Sequence, residues 1–132
     1  MEPTDSHPAH VRSAAEAAAL LAPLIAGGAG GERVGVLYLD GARRVVGTSV
    51  DDGGAEEVEL PIRRILAEAL RLGADALIVA HSHPSGAPEP SRADMEGTRI
   101  LSATARNLGV RLDDHLIFGG GEWRSLRELG LL

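Results

Sequence analysis

The chain has 132 residues, of which 44% are hydrophobic and only 2% aromatic. This length suits one domain with an aliphatic core, and the composition offers no aromatic platform on which nucleic-acid bases could stack. The net charge of -6 argues against broad binding to a phosphate backbone. The absence of cysteine excludes disulfides, thiolate metal sites and cysteine nucleophiles. All thirteen basic residues are arginines, which excludes Schiff-base chemistry on a lysine.

The sequence predicts a flexible N-terminal tail over residues 1–12 and one domain over residues 13–132. His7 and His10 lie in the proline-containing tail, where solvation is a better interpretation than metal binding. No segment has the pattern of a signal peptide or of a membrane span, so we expect a cytoplasmic protein that does not bind a membrane.

The first predicted element is a helix that opens at Ser13. Ser13 and Glu16 have the spacing of a capping box, and the alanine- and leucine-rich run that follows continues to Ala26. The glycine-rich segment 27–31 lacks the spacing and the lysine of a phosphate-binding loop, so we interpret it as a linker.

A β-hairpin and a second helix are predicted next. Residues 33–39 and 42–50 flank an Asp-Gly turn signal, and the acidic segment 51–57 is interpreted as a solvated loop. A helix is predicted from Pro61 to about Leu72 and is ended by a glycine. Its predicted core stripe comprises Ile62, Ile65, Leu66, Ala69 and Leu70.

The second half of the chain is predicted to contain strands around one further helix. A buried strand begins at residue 76, a helix spans 92–108, and two strands follow over 110–118 and 122–125. The predicted inward side chains of the helix are Ile100, Leu101, Thr104 and Leu108. Because the elements do not alternate strictly, we expect a mixed sheet flanked by helices, in the α/β class.

The strongest functional signal lies between the strand at residue 76 and the helix at residue 92. If the strand extends to His83, His81 and His83 point to the same face. Ser91 and Asp94 have the spacing of an N-cap and an acidic residue of the first helical turn. Two imidazoles and one carboxylate form a three-ligand set with room for water, which is typical of catalytic zinc sites.

Simpler interpretations stay open for individual residues. Asp94 taken alone fits ordinary helix capping. His115 could be a fourth ligand, although a hydrogen-bonded core histidine is the preferred interpretation. Trp123 is predicted to lie in the core or at the lip of the site rather than to form a substrate platform. Ser82 and Ser85 have no nearby base, so a serine-hydrolase mechanism carries little weight.

The motif resembles a known family. Residues 81–86 read HSHPSG, seven residues separate His83 from Ser91, and two separate Ser91 from Asp94, as in the JAMM pattern of JAB/MPN metalloproteases. The chain is similar to the RadC branch of that family, also over residues 108–119 and 125–132. The resemblance therefore covers roughly residues 30 to 132.

The resemblance implies a JAB/MPN fold, whose architecture is like that of cytidine deaminases. It implies that His81, His83 and Asp94 bind one Zn²⁺ per chain. It further implies that Glu32 acts as the general base and that the Ser91 hydroxyl stabilises the oxyanion. The fallback candidates for the base are Glu56, Glu57 and Glu59. The implied reaction is hydrolysis of a peptide or isopeptide bond, with a ubiquitin-like or sulfur-carrier protein as substrate partner.

Other functions are weighed against a peptidase. The RadC likeness suggests a DNA-repair-associated domain or a metal-dependent nuclease, but full-length RadC proteins place a helix-hairpin-helix-like region ahead of the domain, and this sequence contains none. A non-catalytic MPN scaffold is the third hypothesis, and the filled ligand positions argue against it. A zinc deaminase needs a His-x-Glu motif and paired cysteines, which do not occur. The sequence leaves the choice between a monomer and a homodimer open.

Overall fold

The structure is a computed structural model that describes residues 9–26, 32–52, 60–83 and 86–132. Three helices are described: α1 (Ala14–Ala26), α2 (Ile62–Leu72) and α3 (Arg92–Asn107). Five strands are described: β1 (Arg33–Leu39), β2 (Val45–Asp52), β3 (Ala76–Ser82), β4 (Arg111–Gly119) and β5 (Glu122–Ser125). The predicted linker 27–31 and His7, Glu56, Glu57, Glu59 and Ser85 lie outside the described residues.

The strands form one mixed sheet in the order β2-β1-β3-β4-β5. β3 and β4 are parallel, and the other neighbouring pairs are antiparallel. Helix α1 packs on one face of the sheet, and helices α2 and α3 pack on the other. This arrangement confirms the predicted α/β class and agrees with the JAB/MPN fold that the resemblance implies.

Side-chain alternation along the strands divides the core into two layers. The α1 face buries Leu37, Ile78 and Leu116 together with α1 side chains such as Leu21. The opposite face buries Val34, Val36, Tyr38, Leu77 and Val79 against Ile65 of α2 and Leu101 of α3. His81 continues the series Leu77 and Val79, so its ring points toward the layer that contains α2 and α3.

The predicted core faces of both later helices need correction. In α3, Ile100 is 51% and Leu108 is 45% exposed, and Thr104 is only partly buried. The side chains that α3 buries are Thr98, Leu101 and Ala105. In α2, Leu70 is 54% exposed, although the predicted positions Ile65, Leu66 and Ala69 are buried.

Strand β4 contains one extra residue relative to β3. Leu77 pairs with Leu112, but Ile78 pairs with Asp114, so Asp113 has no counterpart and forms a β-bulge. The bulge reverses the alternation of side chains along β4. Leu112 therefore faces α2 and α3, whereas Leu116, four residues later, faces α1. The same reversal turns His115 toward α3.

Packed structure begins before the predicted start of the domain at residue 13. The backbone N–H of Val11 donates to the carbonyl of Arg43 at 3.0 Å, and the Val11 side chain is fully buried. His10 forms a β-bridge with Arg44. Among the described residues, no helix is both long and apolar enough to cross a lipid bilayer.

Candidate metal centre

The end of β3 and the start of α3 bring the three predicted ligands together. Nε2 of His81 lies 2.9 Å from Oδ1 of Asp94, and Nε2 of His83 lies 2.9 Å from Oδ2 of the same carboxylate. The three potential ligand atoms lie within 4.8 Å of one another. The side chains of His81, His83 and Asp94 are only 4%, 13% and 9% exposed. The structure thus places two imidazoles and one carboxylate around one shared point, as the sequence predicted.

A capping box fixes the position of the carboxylate. The Asp94 backbone N–H donates to the Ser91 hydroxyl oxygen at 3.0 Å, and the Ser91 backbone N–H donates to Oδ2 of Asp94 at 2.7 Å. Burial raises the pKa of Asp94, but the adjacent His81 ring and the hydrogen bond from the Ser91 backbone outweigh it and hold that pKa well below its ordinary value. Asp94 is therefore a carboxylate at neutral pH, and its orientation is set by the helix start.

The ring of His83 is oriented by a backbone carbonyl. Nδ1 of His83 lies 2.7 Å from the Ala87 carbonyl oxygen. A carbonyl can only accept, so Nδ1 carries the hydrogen and donates it. In neutral His83, Nε2 then presents its lone pair to Oδ2 of Asp94. A lone pair and a carboxylate oxygen at 2.9 Å repel each other unless a proton or a cation lies between them.

The donor set therefore fits a divalent cation. Imidazole nitrogens and a carboxylate oxygen are ligands that Zn²⁺ accepts, and three protein ligands are typical of a site that also admits water. A carbonyl or carboxylate partner on the second imidazole nitrogen is the usual support of a metal-binding histidine. His83 has that partner in Ala87.

Two buried side chains stand directly behind His81. Nδ1 of His81 lies 2.8 Å from Nε2 of His115, and Nδ1 of His115 lies 2.5 Å from the Thr98 hydroxyl. His115 is fully buried and is not part of the three-residue cluster, so the structure places it in the core. Burial, followed by the nearby His81, lowers the pKa of His115 to about 3.

The sequence analysis did not identify Thr98. Its signal was available in the helical spacing, because a residue four positions after Asp94 lies on the same face of the helix. The sequence could not predict that His115 lies in this layer, because the bulge at Asp113 changes the face of the sheet toward which His115 points.

Glu32 lies immediately before β1 and is 7% exposed. Val34 pairs with His81 across the antiparallel β1 and β3. Continuation of that register places Glu32 level with His83 and on the same face of the sheet as Val34. The chain thus brings a buried carboxyl group to the strand end that carries both imidazoles.

An apolar groove of about 590 Å³ reaches the cluster from the α1 side. Its walls include several alanines of α1, the turn over residues 119–121, and the cross-strand pair Phe118 and Trp123. Ser82 and His83 lie at the same groove. Trp123 is partly buried against the α1 layer and lines this groove, in agreement with the predicted position in the core or at the lip.

Comparison with known proteins supports the resemblance drawn from the motif. A family model described as RadC-like JAB domain matches residues 11–131. UPF0758 protein alr2351 of Nostoc sp. is 50% identical over 102 residues, which are 76% of this chain and 42% of that protein. A UPF0758 protein of Trichormus variabilis gives the same values. UPF0758 protein AM1_4368 of Acaryochloris marina is 47% identical over 98 residues, covering 74% of this chain and 40% of that protein. The chain thus spans less than half the length of these relatives.

Proposed function

The chain belongs to the RadC-like JAB domain family, and from that premise we propose that it is a zinc-dependent peptidase of the JAMM type. The proposed reaction is hydrolysis of a peptide or isopeptide bond. The observation that carries the proposal is the approach of His83 Nε2 to the Asp94 carboxylate at 2.9 Å while His83 Nδ1 meets the Ala87 carbonyl, an arrangement that a bound cation would stabilise. The same carboxylate also faces Nε2 of His81 at 2.9 Å.

In this proposal His81, His83 and Asp94 hold the ion. Zinc bound there would supply Lewis acidity, which makes water acidic enough to act as a nucleophile near neutral pH and polarises a carbonyl group. The protein contributes three largely buried ligand side chains and a carboxylate fixed by the capping box, so the ligands need little reorganisation. His83 is fixed in turn by Ala87.

Two further side chains are proposed to handle protons and charge. Glu32 takes a proton from the attacking water and delivers it to the leaving amine, and its burial beside the strand end suits that role. The Ser91 oxygen accepts the Asp94 backbone hydrogen, so its own hydroxyl hydrogen can be donated to a developing oxyanion. Ser91 would then serve as helix cap and as oxyanion donor together.

The groove beside His83 supports a polypeptide substrate. Its volume of about 590 Å³ falls within the range of about 300–1,000 Å³ that is usual for ligand pockets. Among the described residues, the lining is mainly apolar, Glu122 is its charged residue, and it contains no arginine. An extended segment of small, uncharged residues suits such walls better than a nucleic-acid strand, which needs a basic surface. We propose the tail of a ubiquitin-like or sulfur-carrier protein.

The direct experiment measures metal content and cleavage on the same preparation. Protein exposed to zinc and then freed of unbound ions should retain about one zinc per chain. Zinc-loaded protein should cleave fusions of small ubiquitin-like proteins at the junction after their tail. A chelator should abolish cleavage, and added zinc should restore it.

Glu32→Gln is the decisive variant because the exchange removes the base and leaves the proposed ligands intact. We expect zinc retention at the wild-type level and loss of cleavage. Glu96→Gln provides the matched control, since this exposed carboxylate lies on α3 close to Asp94 in sequence but outside the cluster. Cleavage that survives in Glu32→Gln would exclude Glu32 as the base. Wild-type protein that retains no metal would overturn the proposed function.

A further inference from the structure

A chain of buried hydrogen bonds connects His81 to the backbone of Asp94. His81 Nδ1 meets His115 Nε2 at 2.8 Å, and His115 Nδ1 meets the Thr98 hydroxyl at 2.5 Å. The Thr98 hydroxyl donates to the Asp94 carbonyl oxygen at 2.7 Å. As whole residues, His81, His115 and Thr98 are 3%, 0% and 2% exposed. Other groups of the protein must therefore provide the hydrogen-bond partners of their polar side-chain atoms.

Counting hydrogens fixes the direction of each bond. The Thr98 hydroxyl has one hydrogen and gives it to the Asp94 carbonyl, so toward His115 it can only accept. Nδ1 of His115 must therefore carry a hydrogen. His115 is fully buried, and its two ring nitrogens meet Thr98 and His81 rather than a carboxylate, so the neutral ring is the form that this environment favours and Nε2 of His115 carries a lone pair.

The lone pair on His115 then determines the state of His81. Nε2 of His115 accepts, so Nδ1 of His81 is the donor in their 2.8 Å hydrogen bond. In neutral His81 the lone pair is consequently on Nε2, the atom that lies 2.9 Å from Oδ1 of Asp94. His81 and His83 thus reach the same tautomer by different routes, one through a histidine and a threonine and the other through a carbonyl.

We propose that Thr98 and His115 are positioning residues that select the metal-binding tautomer of His81. The proposal rests on the proposed metal site. It assigns the pair a role that a carboxylate or a backbone carbonyl usually plays behind a metal-binding histidine. Because His115 is neutral, the support adds no negative charge behind the three ligands. Because histidine can either donate or accept at Nε2, a further group must fix its hydrogen, and Thr98 does so.

Nitrogen NMR of histidine side chains tests the hydrogen count on wild-type protein. Long-range correlations from the ring protons distinguish a protonated nitrogen from one with a lone pair. In zinc-loaded and in metal-free protein, His115 should show hydrogen on Nδ1 and a lone pair on Nε2. In zinc-loaded protein His81 should show hydrogen on Nδ1. A hydrogen on Nε2 of His115 would overturn the proposal without any variant.

Thr98→Val and Thr98→Ser form the matched pair for metal affinity. Valine has a similar shape without the hydroxyl, whereas serine keeps it. We expect the zinc dissociation constant of Thr98→Val to rise about 10- to 100-fold, and that of Thr98→Ser to stay near the wild-type value. Competition with a chelator of known affinity gives these constants, and circular dichroism verifies folding.

The outcomes separate this inference from the proposed function. Wild-type protein that binds no zinc would refute the metal site, while the predicted hydrogen on Nδ1 of His115 could still be observed in the metal-free protein. Zinc binding by wild type with an unchanged constant in folded Thr98→Val would refute the positioning role alone. If Thr98→Val does not fold, the wild-type NMR result decides.

Discussion

Replacing Gly119 by alanine should weaken metal binding, although this residue donates no ligand. A Cβ atom at Gly119 would lie 2.8 Å from the carbonyl carbon and 2.9 Å from the oxygen of Ala87. Ordinary contact begins near 3.4 Å, so the Ala87 carbonyl must retreat by about 0.5–0.6 Å. If the carbonyl moves along the hydrogen bond, the distance between the Ala87 carbonyl oxygen and His83 Nδ1 increases from 2.7 Å to about 3.3 Å, which is beyond the normal range of hydrogen bonds.

The loss of that hydrogen bond frees the ring of His83. We expect the zinc dissociation constant to rise about 10-fold or more, as for other outer-shell partners of metal-binding histidines. Overpacking should also lower the free energy of unfolding by about 1–3 kcal/mol. Chelator competition measures the first quantity, and urea titration of metal-free protein measures the second. Because Gly119 also lines the groove, affinity is a cleaner readout than activity.

Gly121→Ala is the matched control for Gly119→Ala. Gly121 has a φ of 80°, but an added Cβ would meet nothing within 4 Å. Alanine there should destabilise the protein by about 1–2 kcal/mol through backbone strain and leave zinc affinity unchanged. The backbone of Gly119 is not left-handed, so its effect is steric alone. Equal zinc affinities in wild type and Gly119→Ala, or equal losses in both variants, would refute the reasoning.

Three further predictions follow from the capping box and the helix that it starts. Ser91→Ala should cost about 1 kcal/mol in unfolding free energy and about 100- to 1,000-fold in kcat for fusion cleavage. Ser91→Thr should restore both, and a Ser91→Ala enzyme of wild-type kcat would exclude the oxyanion role. Because the adjacent His81 ring and the Ser91 backbone N–H hold the pKa of Asp94 below its ordinary value, the ionised Asp94 stabilises metal-free protein above about pH 4, and this stabilisation is lost as the pH falls. In Asp94→Asn, the free energy of unfolding of metal-free protein, measured by urea titration, should fall less steeply as the pH is lowered through the acid range. An unchanged pH dependence would contradict the stabilising role of the Asp94 carboxylate. Leu101→Ala should cost about 2–5 kcal/mol in urea titration, whereas the exposed Ile100→Ala should cost less than about 0.5 kcal/mol; similar costs would contradict the observed face of α3.

Local signals predicted most of the secondary structure. Strand β1, strand β5 and helix α1 end where the sequence analysis predicted, because turn residues and the capping box mark their boundaries. Strand β2 begins three residues later than predicted, at Val45 instead of residue 42, and ends two residues later, at Asp52 instead of residue 50. The pairing of β2 with β1 is antiparallel, as expected for a hairpin.

The buried face of α3 was predicted wrongly because hydrophobicity alone was used to orient it. Ile100, Leu101 and Leu108 are all apolar, yet only Leu101 is buried. The capping box aims Asp94 at the two histidines, and this fixes the rotation of the whole helix. Positions 98, 101 and 105 then follow Asp94 on the same face at helical spacing. A site residue thus decided which apolar side chains enter the core.

The candidate ligands were accessible from sequence because their spacing is local to one strand, one loop and one helix start. The residue that contacts His81 from behind, His115, lies on β4 and is 34 positions away from His81 in the sequence. No sequence pattern marked Asp113 as an extra residue in the pairing of β4 with β3. The position of His115 therefore required three-dimensional information.

The bulge at Asp113 makes the pairing register of β4 as important as the identity of its residues. If Asp113 paired with Ile78 instead of bulging, His115 would lie opposite Ala80 and enter the aliphatic layer under α1, and Leu116 would lie opposite His81. Every side chain that reaches His81 from β4 would change although no amino acid had been substituted. A one-residue slip of β4 against β3 is therefore expected to damage the site more than exchanges of most of its individual side chains.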